Sequence, residues 1–369
     1  MQTTTPDPIK PVLDEEGKKF LQSVRLSRMV LPVLLGLAAV AYLFYSQFDA
    51  EKFKRIDWSV SALMWIAAAF GLLLLRHLSY AFRLRVLTHG QFSLWKCIQL
   101  IVLWEFSSAL TPTAKGGPFV MLFVLTKEKV PAGRTAVAVL YTMIFDSGFF
   151  VFLIPTFLLI YGPPMLFPGM TSYNDVGLAS GTFFVTYGMM LVYWTTITLF
   201  VMAKPQLGKA ILHWLAKRPI FKKRAARLDL LGDEFVLAAK EIREQNWKFH
   251  VSVLLGTLGS WTAKFLMINC IIIALAPDTP VDGATQAFIY ARLVAMFTIM
   301  TFSPTPGGAG LAEIALAGFI SDYVPDGVGI VVALIWRAMA YYGYLLVGAI
   351  VVPAWVNSVF GKKEVGTTE

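Results

Sequence analysis

Apolar residues in this chain gather into six long runs, approximately 29–48, 58–75, 135–161, 178–203, 249–276 and 328–356. At about 1.5 Å of rise per residue, each run is long enough to carry a helix across roughly 30 Å of hydrocarbon. A lipid interior offers no partner for peptide groups, so a spanning segment has to satisfy its own backbone. The expected fold class is an all-α polytopic membrane protein with about six transmembrane helices. The composition, 57% hydrophobic and 15% charged, with a mean hydropathy of +0.64, excludes a globular domain carrying a single anchor.

Two further apolar stretches, near 94–125 and 284–321, are interrupted by near-repeats of each other. One reads Thr111-Pro112-Thr113-Ala114-Lys115-Gly116-Gly117, the other Ser303-Pro304-Thr305-Pro306-Gly307-Gly308. Pro112, Pro304 and Pro306 remove backbone donors and Gly withdraws side-chain support, so both runs must leave the helix. Within a bilayer, broken backbone survives only when it is buried in protein or lines a wet cavity. Paired breaks in two halves point to a transporter-type binding site near the midplane. Each stretch therefore reads as a re-entrant helix hairpin, because second arms such as Phe119 to Leu125 are too short to cross.

Loop charge sets orientation. Arg76, Arg83, Arg85 and Lys96 follow the 58–75 run, and eleven Lys and Arg residues crowd the 204–248 loop, whereas 162–177 and 277–283 carry only Asp175, Asp278 and Asp282. Lys52, Lys54 and Arg55 run against this pattern. Both termini and the basic loop are expected in the cytoplasm. Counting spans outward then inserts the two hairpins from opposite sides, as an inverted pseudo-repeat with halves at about 58–161 and 249–356. The remaining parts are a polar lead-in (1–28), one transmembrane domain (29–356) containing the 204–248 loop, and a tail (357–369). Pro6, Asp7, Pro8 and Asp14-Glu15-Glu16 leave no short apolar core for a cleavable signal.

Charges inside a membrane tend to face a cavity or a partner. They are Glu105, Lys115, Asp146, Lys264, Arg292, Glu313 and Arg337, a surplus of base. With the amides of Gly116, Gly117, Gly307 and Gly308 at half-helix N-termini, Lys115, Arg292 and Arg337 form a candidate phosphate site. Glu105, Asp146 and Glu313 are candidates for charge balance or a proton relay, with a helix cap as the plainer account of Glu313. Asp146 and Arg337 fall at matched registers, 34 and 33 residues after Pro112 and Pro304, which suggests that they pair. Arg76, Arg83 and Arg85 read as snorkelling to lipid phosphate, and most Trp residues as interfacial belts.

The basic 204–248 loop, with Leu207, Ile211, Trp214, Leu215 and Phe235 among its charges, reads as an amphipathic hairpin lying on anionic lipid. The net charge of +9 has the same explanation, and no nucleic-acid partner is expected. Cys97 and Cys270 read as core hydrophobes. His77, His89, His213 and His250 lack metal-ligand spacing, and no catalytic constellation is visible. The expectation is no metal, no cofactor and no enzymatic activity; a homo-oligomer is compatible with the sequence.

Pro304-Thr305-Pro306-Gly307-Gly308-Ala309-Gly310-Leu311-Ala312-Glu313 resembles the Pro-Gly-Gly-x-Gly-x-x-Glu signature of the lysylphosphatidylglycerol synthase transmembrane (flippase-like) family. Thr111-Pro112 and Lys115-Gly116 are similar to its first signature, although Gly117, Pro118 and Phe119 replace the usual Glu and basic residue. The resemblance spans roughly 30–355 and covers the membrane part of the multiple peptide resistance factor. It implies a bacterial inner-membrane protein that moves a phospholipid or lipid-linked substrate between leaflets. The chain ends about a dozen residues after its last span, so the soluble aminoacyl-transfer domain is not expected. Transport of a small soluble anion, a membrane scaffold for a cytoplasmic enzyme, and an enzyme acting on lipid-linked sugar are the alternatives.

Overall fold

The computed structural model describes residues 58–110, 116–172, 178–218, 225–301, 308 and 310–362, with a two-residue pairing of 12–13 and 361–362. The expected span at 29–48 and both proline breaks lie outside these residues. Five of the expected runs appear as helices or helix pairs, and the overall class is all-α and polytopic. Helix α1 (Val60–Leu87) is followed by α2 (Leu94–Leu110), the short α3 (Gly116–Lys127) and α4 (Ala132–Tyr161). Helix α5 (Leu178–Thr198) continues through a π turn at Leu199–Ala203 into the α6–α7 pair (Pro205–Ala216 and Ala225–Arg243). Then come α8 (Trp247–Leu275), α9 (Gly283–Met300) and the short α10 (Leu311–Phe319). Helix α11 (Val328–Arg337) runs through a second π turn, Ala338–Tyr342, into α12 (Gly343–Phe360).

Side-chain caps start several of these helices. Ser59 accepts from the Ala62 amide, Asn246 from Phe249, and Asp282 from Ala284 and Thr285, each satisfying a donor that the first turn leaves orphaned. Hydrogen bonds from Thr285 and from the Ala284 amide hold the exposed Asp282 carboxyl below the usual carboxylate range.

Among the described residues, six helices are long and apolar enough to cross a membrane: Val60–Leu87, Ala132–Tyr161, Gly181–Ala203, Trp247–Leu275, Gly283–Met300 and Val328–Val359. This set includes α9, which is not among the expected spans; the expected run at 29–48 lies outside the described residues. Helix α1 continues well beyond residue 75 and carries Arg76, Arg83 and Arg85. Likewise the 204–248 loop is two packed helices. Exposed Leu63, Phe70, Phe152, Leu159, Leu346 and Ile350 leave an apolar outer surface, which suits acyl chains as solvent.

The contacts at the helix ends sort the loops into two groups. At one end His89 stacks on Phe249 with ring centres 5.6 Å apart, and His89 and Arg134 both reach Glu241 of α7. There too Lys96, at the start of α2, pairs with Glu128, just past α3, at 2.5 Å, and Trp355 of α12 donates to the same carboxylate. At the other end Thr279, before α9, donates to the Tyr323 carbonyl, after α10, at 2.7 Å. Arg292 joins Pro164, after α4, to Asp322. Lys96 and Glu128 thus bring the start of α2 beside the end of α3, and Thr279 and Tyr323 the start of α9 beside the end of α10. Helix α8, 29 residues long, separates the two ends.

Helices α1 and α8 make the most extensive helix–helix contact. Their approach rests on small residues, as is usual where lipid supplies no hydrophobic drive. A Cβ on Gly256 would stand 2.9 Å from Arg83 Cβ and 3.2 Å from the Ser79 carbonyl. That crossing fixes where the polar face of α1 points.

Candidate functional site

Arg76, Tyr80 and Arg83 follow one another at helical i, i+4 and i+7 spacing, so α1 presents them on one face. The face is buried: Arg76 is 5% and Arg83 4% exposed. Arg76 Nη2 donates to Glu105 Oε1 of α2 at 2.7 Å and Nη1 to the Tyr344 hydroxyl of α12 at 2.9 Å. Tyr344 also meets His77 Nδ1 at 3.0 Å, while His77 Nε2 faces the Ile98 carbonyl. Arg83 forks onto Asp146 of α4 at 2.6 and 3.1 Å and reaches Thr257 Oγ1. The Tyr80 ring lies under both guanidinium groups, at 5.0 and 4.8 Å. A forked arginine–carboxylate pair with further hydrogen bonds is the form in which buried charge is tolerated. Arg76 and Arg83 are therefore paired inside the protein rather than snorkelling to lipid; Arg85 alone of the three is exposed.

A second cluster comes from the other half. Arg337 Nε donates to Glu313 Oε1 at 2.7 Å, and Glu313 is fully buried. The other oxygen, Oε2, accepts from the Gly310 amide at 2.8 Å at the start of α10. Glu313 therefore both caps a half-length helix and neutralises an arginine. The π turn that follows Arg337 brings the Tyr341 ring to 4.0 Å from its guanidinium; such bulges recur at functional sites because they re-aim side chains without ending the helix.

Between the clusters lies a cavity of about 340 Å³. Arg76, Glu105, Asp146, Lys264 and Arg337 reach its wall, with Tyr80, Trp104, Tyr193, Trp261, Trp336, Tyr341 and Tyr344 around them. A smaller void of about 50 Å³ joins Arg83 to Glu105 and Asp146. Lys264 of α8 sits 4.1 Å from the centre of the Phe297 ring and 4.6 Å from that of Trp261. Trp261 Nε1 donates to Asp146 at 2.9 Å. Trp104, Trp261 and Trp336 are thus part of the cavity wall, a correction to their reading as interfacial belts.

Several expected site residues fall elsewhere. Asp146 pairs with Arg83 and Arg337 with Glu313, so the pairing of Asp146 with Arg337 is overturned: matched register along two helices does not bring their side chains together. Arg292 is absent from the cavity wall; it is spent on Asp322, Phe319 O and Pro164 O near the far end of the bundle. Gly308 does line the cavity, with φ +72°, a conformation glycine adopts without strain. Gly116 opens α3, and Gly117 packs on α2, where a Cβ would collide with Ser108 Oγ. Lys115, Gly307, Pro112, Pro304 and Pro306 lie outside the described residues. The spacing of Arg76, Tyr80 and Arg83 is a usable signal for the α1 face, whereas nothing local marks Tyr341 or Tyr344.

Comparison with known proteins extends over the same span. A membrane protein of Archaeoglobus fulgidus, described as a UPF0104 membrane protein, is 26% identical over 351 residues, covering 91% of this chain and 99% of the relative. No solved structure matches the chain. Residues 29–348, which include both charge clusters and the cavity, match the family described as the lysylphosphatidylglycerol synthase TM region. The chain belongs to this family of integral membrane domains.

Proposed function

We propose that this protein is a flippase-like lipid transporter that takes a phosphate-bearing head group into the cavity and passes it between leaflets. The observation that carries this reading is a charged, aromatic-walled cavity of about 340 Å³ enclosed by apolar helices. That volume lies at the low end of ligand sites: it suits a head group, with the acyl chains left in the bilayer. Aromatic rings supply apolar bodies, while Arg76, Arg337 and Lys264 supply the positive charge that phosphate seeks. The lipid-related family supports the same substrate class. The cavity would be reached by two oppositely inserted re-entrant hairpins, α2–α3 and α9–α10, whose ends meet at opposite ends of the bundle. The end carrying α6 and α7 would be cytoplasmic, with exposed Leu207, Ile211 and Trp214 of α6 resting on anionic lipid.

A leaflet-exposure measurement tests this. Purified protein in liposomes with labelled phosphatidylglycerol should equilibrate the label faster than liposomes holding Ala340→Trp, which fills the cavity from a half-buried wall position. Equal background rates for both proteins and for every lipid would rule the reading out. A soluble anion is the second candidate, since the same volume accommodates free phosphate; uptake of labelled phosphate by the wild type alone would establish it.

A further inference from the structure

We infer that Lys264 is the phosphate contact of the cavity and makes it selective for head groups of net charge −1. The inference rests on the lipid reading above for the source of the ligand, but its charge argument does not. Among the described residues, four cations and three carboxylates stand in or directly behind the cavity wall: Arg76, Arg83, Lys264 and Arg337 against Glu105, Asp146 and Glu313. Each carboxylate holds one arginine, at 2.7, 2.6 and 2.7 Å respectively. Lys264 is left over. It makes no hydrogen bond or ion pair among the described residues; the Trp261 and Phe297 rings face its ammonium group, with Arg76, Glu105, Asp146 and Arg337 sharing the same cavity wall.

An unmatched ammonium in a membrane interior is costly, and two ring faces recover only part of that cost. The arginines add donors but no net charge, because each is already balanced by the carboxylate it holds and separating a buried pair strands its partner. Lysine, by contrast, offers three rotatable donors on a flexible stem and binds phosphate as a point charge. Trp336 adds a second donor on the same wall, its indole N–H having no acceptor among the described residues. Among the described residues the cavity carries one unit of uncompensated positive charge, which matches a phosphodiester monoanion whose other substituent is neutral. A zwitterionic head group would bring a second cation next to Lys264, and a dianion would leave one negative charge unmatched against Glu105 and Asp146. The ligand chemistry is therefore a singly charged phosphodiester, from a lipid or free in solution.

Native mass spectrometry of the detergent-solubilised full chain tests this with short-chain phosphatidylglycerol and phosphatidylcholine, and with glycerophosphoglycerol and inorganic phosphate as competitors. The wild type should favour phosphatidylglycerol by roughly tenfold or more, the worth of a charge-assisted hydrogen bond. Lys264→Gln should erase that preference and Lys264→Arg should keep it, with thermal unfolding showing both variants folded. A preference that survives in Lys264→Gln overturns the role of Lys264. Equal binding of the two lipids by the wild type overturns the charge selection, whether or not any variant folds. Displacement by glycerophosphoglycerol at matching concentrations upholds the monoanion site but removes the lipid as its source, whereas equal displacement by inorganic phosphate at alkaline pH, where it is a dianion, overturns the charge selection. Lys264-dependent binding without lipid translocation would defeat the proposed function and leave the site standing.

Discussion

Every arginine that reaches or backs the cavity is held by a carboxylate on a different helix, and this makes the pairs the strongest residue-level couplings in the bundle. Asp146 accepts from both Arg83 Nη atoms and from Trp261. Replacing it with Asn should leave Arg83 uncompensated and lower stability by about 3–5 kcal/mol, the usual result of breaking a buried pair from one side. A double-mutant cycle in thermal unfolding should find Asp146→Asn and Arg83→Gln strongly non-additive, because the second change removes the stranded charge. The cycle of Asp146→Asn with Arg337→Gln should show far weaker coupling; the reverse ranking would refute the Arg83–Asp146 pair. The sequence makes Glu105, Asp146, Lys264, Glu313 and Arg337 visible as a set, since charge stands out in apolar runs, but Arg76 and Arg83, which read as snorkelling, are missing from it. It does not make their partners visible: Arg83 and Asp146 are 63 residues apart, and their meeting depends on how α1 rotates against α4 and α8. Lys264 illustrates the same limit, because its isolation becomes apparent only after every acid has been assigned.

At the scale of elements, the α1–α8 crossing orients the Arg76–Tyr80–Arg83 face towards the cavity. Gly256 sets how closely the helices approach, with backbone and Cβ atoms of α1 as its neighbours. Gly188 of α5, in contrast, has nothing within 4 Å of where a Cβ would stand. Gly256→Ala should therefore lower the unfolding temperature, the clash outweighing the roughly 0.5–1 kcal/mol that alanine gains over glycine within a helix. Gly188→Ala should leave that temperature unchanged or raise it. Equal effects at the two sites would mean that the close approach carries no stability. Apolar run lengths reveal most elements because a membrane imposes them; α4, α5 and α8 begin and end within a few residues of the expected runs. Helix α1 keeps Arg76 and Arg83 inside the bundle, whereas in sequence they look like the end of a span. Helices α3 and α10, 12 and 9 residues long, are too short to reveal their placement by hydropathy.

The whole molecule repeats one order of elements: a long helix, a medium one, a short one and a long one. Helices α1 to α4 have 28, 17, 12 and 30 residues; α8 to α10 have 29, 18 and 9, followed by a span of 32. Charge divides the molecule along the same axis. The end defined by Glu128, Glu241 and the α6–α7 pair carries Lys96, Lys127, Lys129, Arg134, Lys217 and Arg218, whereas 162–177, 276–282 and 320–327 contain no Lys or Arg. The sequence shows this asymmetry loop by loop, but which loops share an end shows only in contacts such as Thr279 with Tyr323. If the basic end is cytoplasmic, as the distribution of Lys and Arg implies, the two short helices are approached from opposite sides. Cysteines introduced at Lys129 and Lys217 should then react with a membrane-impermeant maleimide only from the cytoplasmic face, and one at Ser321 only from the outer face. Native Cys97 and Cys270 are buried and should stay silent. Labelling of positions 129 and 321 from the same face would eliminate the inverted arrangement, and with it the route by which two hairpins hand a head group from one leaflet to the other.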